Sequence, residues 1–324
     1  MRIAVTGSIA TDHLMMFSGK FTDTLIAEKL DKVSLSFLVG DLEIRRGGVA
    51  GNIAFGLGCL GLNPLLVGSV GADFAEYRDW LDAHGVDTSG VRTSATKHTA
   101  RFVATNDTVG NQIASFYPGA MSEDCEIDIA SLVAANGVDL VLIGAGDPAA
   151  MQQYTSDCRA AGVPFAADFS QQVAFLDGDS MRTLIEGATY LFCNEYEEAV
   201  IESKTGWSNA DILERVTTRI ITLGAAGARV EQKGEEPVVV GPVPDAKFVE
   251  PTGAGDAFRC GFLAATAWGL PLERAVELGN LIAVHALETV GPQEYELKPA
   301  ALTDRARLSY GDEAAADIAA HLPA

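Results

Sequence analysis

From about residue 128 onward, short apolar segments alternate with longer amphipathic segments, and this alternation restricts the fold more than any other feature of the sequence. Apolar runs of strand length are Asp139–Ala145, Val163–Asp168, Tyr190–Cys193 and Arg219–Leu223. Helical spacing of apolar residues marks Ile127–Asn136, Pro148–Ala161, Glu195–Lys204, Gly255–Trp268, Leu272–Glu288 and an Ala-rich tail, 299–322, which we expect to form one helix. Apolar strands that alternate with helices form a parallel sheet covered on both faces. The sequence therefore predicts an α/β fold, in which ligands bind beyond the carboxyl ends of the strands.

Two segments in the N-terminal part of the chain, 14–46 and 98–118, do not follow this pattern. They contain β-type runs with charged or hydroxyl residues interleaved, namely Val33–Val39, Ala100–Asn106 and Gln112–Tyr117. We expect these runs to form a small β-sheet lid over the edge of the larger body. The predicted division is a large α/β domain of residues 1–13, 47–97 and 119–324, and a small β lid of residues 14–46 and 98–118.

The charge balance makes several classes of partner unfavourable. Lys and Arg number 23 and Asp and Glu number 44, which gives a net charge of -21. Such a chain repels the phosphates of nucleic acids and anionic lipid head groups. In addition, no apolar stretch approaches the ~18 residues of a membrane-spanning helix. We therefore expect small-molecule partners, with no nucleic acid and no membrane.

The cysteines and the N-terminal residues bear on the compartment. Five cysteines are widely spaced and form no Cys-x-x-Cys pair, which indicates buried thiols in a reducing compartment. The first residues run straight into a predicted strand, without the longer apolar core and cleavage site of a signal peptide. We expect a cytoplasmic protein.

The segment with the most chemical information is Glu250–Phe262, which contains the run Gly253-Ala254-Gly255-Asp256 at the predicted start of a helix. The glycines allow backbone N–H groups to converge on a phosphoryl anion, and the helix dipole adds positive potential. Asp256 in the first turn is favoured in its charged form. It would be a modest base, but phosphoryl transfer depends more on positioning than on basicity. A glycine turn followed by an Asp that stabilises the helix start explains the same residues equally well.

Two segments together resemble the signatures of the ribokinase/PfkB carbohydrate-kinase family. Glu250–Asp256 is similar to the second signature, D-T-x-G-A-G-D, with Glu250 and Pro251 in place of the usual Asp and Thr. Arg46–Ala54 is similar to the first signature, G-G-x-x-x-N-x-A. The resemblance covers essentially the whole chain. It implies a ribokinase-like parallel-sheet sandwich with helices on both faces, ATP as co-substrate, Mg²⁺ as cofactor, and room for K⁺ as a second cation.

The resemblance also implies roles for individual residues. Asp256 would be the catalytic base. Residues that would bind the acceptor sugar are Ser8, Asp12, Gly47, Gly48 and Asn52, with Asp12 accepting hydrogen bonds from vicinal hydroxyls. Residues that would bind the ATP phosphates are Asn194, Thr222, Gly224, Gly227, Gly253, Ala254 and Gly255, and Glu197 would order Mg²⁺ through water. Plainer interpretations stay open, because glycine turns are common, Asp12 can cap a turn, and Asn194 with Glu197 also forms a capping box.

Two aromatic residues in the lid bear on the identity of the acceptor. If Ala100–Asn106 and Gln112–Pro118 pair antiparallel, Phe102 lies opposite Phe116, and their rings can sandwich a planar base. The alternative is a cross-strand contact that only stabilises the hairpin. The surrounding residues are similar to adenosine kinases of the actinobacterial type. In that subgroup the base pocket is completed by residues at Ser36, Gln171 and Gln172.

The sequence therefore predicts an ATP-dependent adenosine kinase, which makes AMP and ADP in purine salvage. A free-sugar kinase, such as a ribokinase or fructokinase, stays open, although it would not need the two phenylalanines. A catalytically silent ligand-binding relative is a third alternative, against which the intact Gly253–Asp256 run argues. Because ribokinase-like relatives pair their lids between subunits and exposed sheet edges need covering, we expect a homodimer through the lid.

Overall fold

The computed structural model describes residues 1–24 and 35–323, and most of its strands belong to one large sheet. The strands of this sheet are β1 (Ile3–Thr6), β4 (Leu65–Val70), β5 (Val91–Thr93), β8 (Leu140–Ile143), β9 (Phe165–Asp168), β10 (Tyr190–Asn194), β11 (Thr218–Thr222), β12 (Ala228–Glu231) and β13 (Val238–Val240). Their order across the sheet is β13-β12-β11-β10-β9-β8-β1-β4-β5. Strand β12 pairs antiparallel with both β11 and β13, and the other neighbours pair parallel. The sheet therefore has the mostly parallel arrangement that the sequence predicts.

Helices cover both faces of this sheet. One layer contains α2 (Val49–Cys59), α3 (Ala75–Ala83), α9 (Ala254–Ala267), α10 (Leu272–Leu287), α11 (Pro299–Tyr310) and α12 (Asp312–Ala319). The other layer contains α4 (Ile129–Asn136), α5 (Pro148–Ala161), α6 (Gly178–Ile185), α7 (Glu195–Thr205) and α8 (Asn209–Leu213). Successive residues of a strand point to opposite faces, so Ile3 and Val5 pack in the core under the first layer and Ala4 packs under the second. Apolar residues at consecutive positions are therefore buried on both sides.

The smaller sheet has four strands, in the order β3-β2-β6-β7. Their bounds are β2 (Ala10–Phe17), β3 (Val39–Gly47), β6 (Ala100–Asn106) and β7 (Gln112–Tyr117), and a single helical turn, α1 (Phe21–Thr24), follows β2. One row of the register crosses all four strands, because Arg45 pairs with Asp12, Asp12 with Phe102, and Phe102 with Phe116. Side chains in one row of a sheet project from the same face. This row, Arg45–Asp12–Phe102–Phe116, is called the lid row below.

The structure confirms the predicted fold class. The bounds of α5, β6 and β7 are those predicted from the sequence, and for α5 the local reason is visible. Asp147 accepts hydrogen bonds from the N–H groups of Ala149 and Ala150 at 3.0 and 3.1 Å, and Pro148 fits the first helical position, where no N–H is needed. Strand β2 of the smaller sheet begins at Ala10, before residue 14. The division of the chain into two domains stays a prediction.

Three expectations were wrong in detail. The tail 299–322 forms two helices, α11 and α12, because the chain turns at Gly311, where φ is +93°. The run Val33–Val39 is not a strand over its described part, since β3 begins only at Val39; residues 33 and 34 lie outside the described residues. The thiols of Cys158, Cys193 and Cys260 are buried as expected, but Cys125 is exposed.

Within residues 1–24 and 35–323, no helix combines the length and the apolar character that crossing a membrane requires.

Candidate active site

A cavity of about 670 Å³ lies between the smaller sheet and the carboxyl ends of β1, β8 and β9. Its lining comes from both sheets and from the segments that follow these strands. The lining residues are Ser8, Ala10, Asp12, Leu14, Arg45, Gly48, Val49, Asn52, Phe102, Asn106, Gln112, Phe116, Met121, Ala145, Gly146, Gln171, Gln172, Phe175, Glu250, Thr252, Gly253, Asp256 and Pro292. Its size suits a small organic ligand, and its position is the one expected for ligands of parallel α/β sheets.

The turn Gly47–Gly48 forms one wall of this cavity together with Asp12 and Ser8. Gly48 has φ of +88°, and a Cβ on it would lie 2.5 Å from the carbonyl oxygen of Ser8, so only glycine allows this close backbone contact. The Oγ of Ser8 accepts a hydrogen bond from the N–H of Val49 at 3.0 Å. The hydroxyl of Ser8 therefore caps α2, which has no side-chain cap of its own. Its proton is still available to donate a hydrogen bond to a ligand.

Asn52 and Asp256 meet at another wall, where α2 and α9 begin. The Nδ2 of Asn52 donates to the Oδ2 of Asp256 at 2.8 Å, and Asn52 is only 6% exposed. Helix α9 starts after Gly253, whose φ is +79° and on which a Cβ would lie 2.5 Å from the Cβ of Pro292. The first N–H groups of a helix have no intrahelical acceptor, so this helix start beside Asp256 is suited to an anion.

Two of the carboxyl groups that line the cavity, those of Asp256 and Asp12, have raised pKa values. Burial raises the pKa of Asp256 to about 6, although the hydrogen bond from Asn52 and the charge of Arg259 act to lower it. Burial likewise raises the pKa of Asp12 to about 6, against the nearby charge of Arg45. Perturbed carboxyl groups that line one cavity are a common feature of catalytic sites.

Arg45 links the smaller sheet to the segment before α9. Its Nη1 donates to both carboxylate oxygens of Glu250, at 2.9 and 2.8 Å, and its Nε donates to Glu43 at 2.7 Å. The carboxylate of Glu250 also accepts from the N–H of Gly291 at 3.2 Å. Glu250, the position that departs from the second signature, therefore forms a bridge between the smaller sheet and the segment that leads into α9.

Beneath Asp256 lies a buried ion pair between Asp168, the last residue of β9, and Arg259, one turn further along α9. The Nη2 of Arg259 donates to the Oδ1 of Asp168 at 2.8 Å, and the two side chains are 6% and 0% exposed. Burial opposes the charge of Arg259, but the carboxylate of Asp168 outweighs it and raises the guanidinium pKa. Asp168 also accepts from the hydroxyl of Ser170 at 3.0 Å, so the pair supports the segment that carries Gln171 and Gln172.

The residues predicted to bind ATP lie at the carboxyl ends of β10 and β11 and at the start of α9. Asn194 and Thr222 are paired in the register of β10 and β11, and Gly224 and Gly227 follow in the turn after β11. Asn194 and Glu197 form the predicted capping box, in which the Oε2 of Glu197 accepts from the N–H of Asn194 at 2.9 Å. Gly253, Ala254 and Gly255 are at the start of α9, beside the cavity.

The structure brings most of the predicted acceptor residues together. This cavity is lined by Ser8, Asp12, Gly48, Asn52, Phe102, Phe116, Gln171, Gln172 and the predicted base Asp256. Gly47 lies directly behind Asp12, since a Cβ on it would lie 3.0 Å from the Oδ2 of Asp12. Ser36 is different, because its side chain is exposed and it is not part of this lining.

Several lining residues were missed by the sequence analysis. Asn106 and Gln112 form a cross-strand pair on the same face as the phenylalanines, four pairs along the register, and the Nε2 of Gln112 donates to the Oδ1 of Asn106 at 3.0 Å. Following the predicted hairpin register for four pairs from Phe102 and Phe116 would have found them. Phe175, which is 80% exposed, lines the cavity from the segment after β9. No sequence pattern indicates a role for Arg45 other than its position next to the first signature.

Comparison with known proteins supports the assignment of the chain to a family. A sequence profile of the pfkB family of carbohydrate kinases matches residues 10–299. A nucleoside kinase from Burkholderia thailandensis, solved in complex with inosine, superposes with a TM-score of 0.84 and 34% identity, over 96% of this chain and 99% of the other. A nucleoside kinase from Methanocaldococcus jannaschii is 28% identical over 82% of this chain and 87% of its own length. An adenosine kinase from Saccharomyces cerevisiae is 30% identical, but over only 40% of this chain and 42% of its own.

The profile match covers most of the sequence, and it includes both signature segments and the lid row. The Burkholderia thailandensis structure matches over nearly the full length of both chains. The chain therefore belongs to the pfkB family of carbohydrate kinases and has the ribokinase-like fold of that family.

Proposed function

We propose that this protein is an ATP-dependent nucleoside kinase whose acceptor is adenosine. It transfers a phosphoryl group from ATP to the 5′-hydroxyl and releases AMP and ADP. The observation that carries the proposal is the lid row, which places a carboxylate, Asp12, beside two aromatic rings on one face of the small sheet. A sugar that carries a planar base needs both kinds of group.

The spacing of the lid row fits a nucleoside. Neighbouring strands lie ~4.8 Å apart, so Phe102 is one strand spacing from Asp12 and Phe116 is two. A ribose whose 2′- and 3′-hydroxyls donate to Asp12 would extend its base along the row, over the rings. A free sugar has no group that reaches Phe116. The row therefore favours a nucleoside over ribose or fructose.

The same spacing changes the predicted mode of stacking. Directly opposite residues on one face have Cβ atoms only ~4.5–5.5 Å apart, which leaves little room for a base between Phe102 and Phe116. We infer that the two rings form a continuous platform under the base rather than enclosing it from both sides. Phe175, on the segment after β9, lines the same cavity from the large sheet and is available to cover the base.

The amide of Gln172 favours adenine among the purines. Its Nε2 donates to the carbonyl oxygen of Gly146 at 2.6 Å, which orients the amide and leaves its Oε1 as an acceptor. The exocyclic amino group of adenine is a donor, whereas the corresponding group of hypoxanthine is an acceptor. Gln171, which lines the cavity beside it, can present either end of its amide. The relatives support nucleosides as a class, since one was solved with inosine.

The reaction follows from the placement of Asp256. The carboxylate takes the proton of the 5′-hydroxyl while the 5′-oxygen of the nucleoside forms a bond to the γ-phosphorus of ATP. The bond between that phosphorus and the oxygen that bridges it to the β-phosphorus breaks, and ADP is released. The N–H groups at the start of α9 stabilise the negative charge on the transferred group. Asn194, Thr222, Gly224 and Gly227 would contact the remaining phosphates.

The residues near the proposed ATP site are suited to hold Mg²⁺ through water. In the described part of the chain, no group of three or more His, Cys, Asp and Glu side chains could hold a metal directly. Mg²⁺ keeps several waters and binds mainly to substrate phosphates, so a single carboxylate suffices. Glu197 uses its Oε2 in the capping box and has Oε1 left to orient such a water. When bound, the ion would neutralise phosphate charge; K⁺ stays a prediction from the family resemblance.

Removing either lid phenylalanine should weaken adenosine binding. Base–aromatic stacking is worth ~1–3 kcal/mol per base, so we expect Phe102→Ala or Phe116→Ala to raise the KM for adenosine ~5-fold to 100-fold. The kcat should fall less, because Asp12 and Asp256 still align the hydroxyl. Steady-state kinetics on both variants, with Val109→Ala at the tip of the same hairpin as the control, measure this. An unchanged adenosine KM together with a lower melting temperature would mean that the two rings only stabilise the hairpin.

A substrate without the 2′-hydroxyl should be used poorly. With 2′-deoxyadenosine the carboxylate of Asp12 loses one donor, and an unmatched buried acceptor costs ~1–3 kcal/mol. We therefore expect kcat/KM to be ~5-fold to 100-fold lower than for adenosine. The preference should disappear in Asp12→Ala. Equal efficiency of the wild-type protein on both nucleosides would remove Asp12 from this role.

We also propose that the lid forms a homodimer. Alternation along the strands places Leu42, Ile44, Ile113 and Tyr117 on the face opposite the lid row, and these side chains are 44–59% exposed. Apolar groups clustered on one exposed sheet face commonly mark an interaction surface, and a second copy presents the same face. Sedimentation velocity at micromolar concentration should give a dimer, and Ile44→Lys should shift it to a monomer. A wild-type monomer under these conditions would overturn the proposal.

A further inference from the structure

The segment after α10 brings a buried amide, Gln293, against Asn52 of the first signature segment, which in turn contacts Asp256. Gln293 is 1% exposed. Its Nε2 donates to the Oδ1 of Asn52 at 2.9 Å and to the hydroxyl of Tyr77. Neither the signature motifs nor the cavity lining includes this residue. A polar side chain buried this deeply is held for its hydrogen bonds, since burying it without them is costly.

The donors and acceptors around Gln293 form one directed chain. The hydroxyl of Tyr77 donates to the carbonyl oxygen of Gly47 at 2.9 Å, so its oxygen is left to accept from Gln293. Because the Oδ1 of Asn52 also accepts from Gln293, the amide of Asn52 must turn its Nδ2 to Asp256, to which it donates at 2.8 Å. This series of hydrogen bonds therefore determines which end of the Asn52 amide faces the carboxylate of Asp256.

The surrounding backbone leaves room for this arrangement. A Cβ on Gly51 would lie 2.2 Å from the hydroxyl oxygen of Tyr77 and 3.4 Å from the Nε2 of Gln293. Only a residue without a side chain at position 51 therefore lets the two polar groups meet over α2. This close contact explains why position 51 of the first signature segment is glycine, although no substrate contact is proposed for it.

We propose that Gln293 is a positioning residue that fixes the orientation of the Asn52 amide and thereby holds Asp256 in its ionised, aligned form. The inference rests on the proposed role of Asp256 as the base. Without the donor from Gln293, the Asn52 amide is free to rotate, and the Nδ2 that stabilises the carboxylate is lost part of the time. Glutamate at position 293 would reverse the direction of these hydrogen bonds, because its carboxylate attracts the Nδ2 of Asn52 and leaves the Oδ1 of Asn52 facing Asp256.

The other titratable groups that face Asp256 keep their charge state in Gln293→Met. They are Arg259 on its own helix, Asp168 at the end of β9, and the phenols of Tyr77 on α3 and Tyr295 after α10. Burial raises the pKa of both phenols, so both are neutral in the range of interest. In Gln293→Met, which adds no charge, a change in the acid limb of the pH–rate profile therefore reports on the hydrogen bond from Asn52.

The test is the pH dependence of kcat for Gln293→Met and Gln293→Glu, measured on the acceptor that the wild-type protein phosphorylates most efficiently. We expect the acid limb to move upward by about one pH unit in Gln293→Met, the size of a lost charge-assisted hydrogen bond. The kcat at pH 6 should fall ~5-fold and the kcat at pH 8 much less. Gln293→Glu should shift the limb at least as far. Because the acceptor is chosen by activity, a wrong substrate assignment leaves this result interpretable.

Two further variants separate positioning from packing. Tyr295→Phe removes a buried hydroxyl from the same segment, one that makes no hydrogen bond in the described part of the chain, and it should leave the acid limb unchanged. In an Asn52→Ala background, Gln293→Met should produce no additional shift, since the amide it orients is gone. A wild-type acid limb in Gln293→Met, or a full shift that persists without Asn52, would overturn the proposal.

Discussion

Asp256→Asn is expected to lower kcat by ~10²–10⁴-fold, the usual contribution of a general base, while adenosine binding and folding are kept. Asparagine has the same shape but cannot take the proton of the 5′-hydroxyl. The Nδ2 of Asn52, which donates to this carboxylate at 2.8 Å, can still donate to the amide oxygen. Turnover by ADP release, together with adenosine affinity by calorimetry, measures both quantities.

The control for this variant is Asp312→Asn, which makes the same charge change in the exposed first turn of α12 and should leave kcat unchanged. The wild-type pH profile provides a second check. Since the pKa of Asp256 is about 6 and the ionised form accepts the proton, kcat should rise with pH through about 6 and then level. Near-normal turnover in Asp256→Asn, or a kcat that rises as the pH falls below 6, would contradict the assignment.

The largest expected effect on stability is that of Asp168→Ala. Removing one partner of a buried ion pair leaves the other charge uncompensated, which typically costs ~3–5 kcal/mol. Here the guanidinium of Arg259, only 6% exposed, would lose both of its contacts to the carboxylate. We expect the free energy of unfolding in urea to fall by this amount and the segment with Gln171 and Gln172 to lose its support.

Two variants show whether the orphaned charge is the cause. Asp304→Ala breaks an exposed pair with Arg307, whose side chains are 70% and 48% exposed, and such pairs contribute only ~0–1 kcal/mol. The double variant Asp168→Ala/Arg259→Met removes the buried charge altogether, so it should be more stable than Asp168→Ala alone. If the double variant is the less stable of the two, the loss in Asp168→Ala has another origin.

Features with a short-range signature could be predicted from the sequence. The alternation of apolar and amphipathic segments predicts the parallel sheet, and an Asn followed three residues later by Glu predicts the capping box at Asn194 and Glu197. The hairpin register follows from the short turn after Asn106, which is why Phe102 and Phe116 face each other as expected. In each case the interacting groups lie close in sequence, so local geometry decides their contact.

Contacts between distant segments could not be predicted in this way. Arg259 meets Asp168 from a helix that follows it by 91 positions, and Gln293 meets Asn52 across 241 positions. Only the packing of α9 and of the segment after α10 against the sheet brings these groups together. The sandwich of the base between two phenylalanines was predicted without the strand spacing, which favours a platform instead. Ser36 lies on an irregular segment, whose course no periodicity specifies.

The most direct test of the account is the kcat/KM of the wild-type protein for adenosine against that for ribose, measured by coupled ADP release in the presence of Mg²⁺ and ATP. The lid row predicts that adenosine is preferred by at least ~100-fold, because stacking on two rings is available only to the base. The kcat/KM for inosine should lie between the values for adenosine and ribose if the Oε1 of Gln172 selects the amino group of adenine. Robust phosphorylation of ribose with no activity on adenosine would contradict the nucleoside assignment, and no ADP release with any acceptor would contradict the assignment as a kinase.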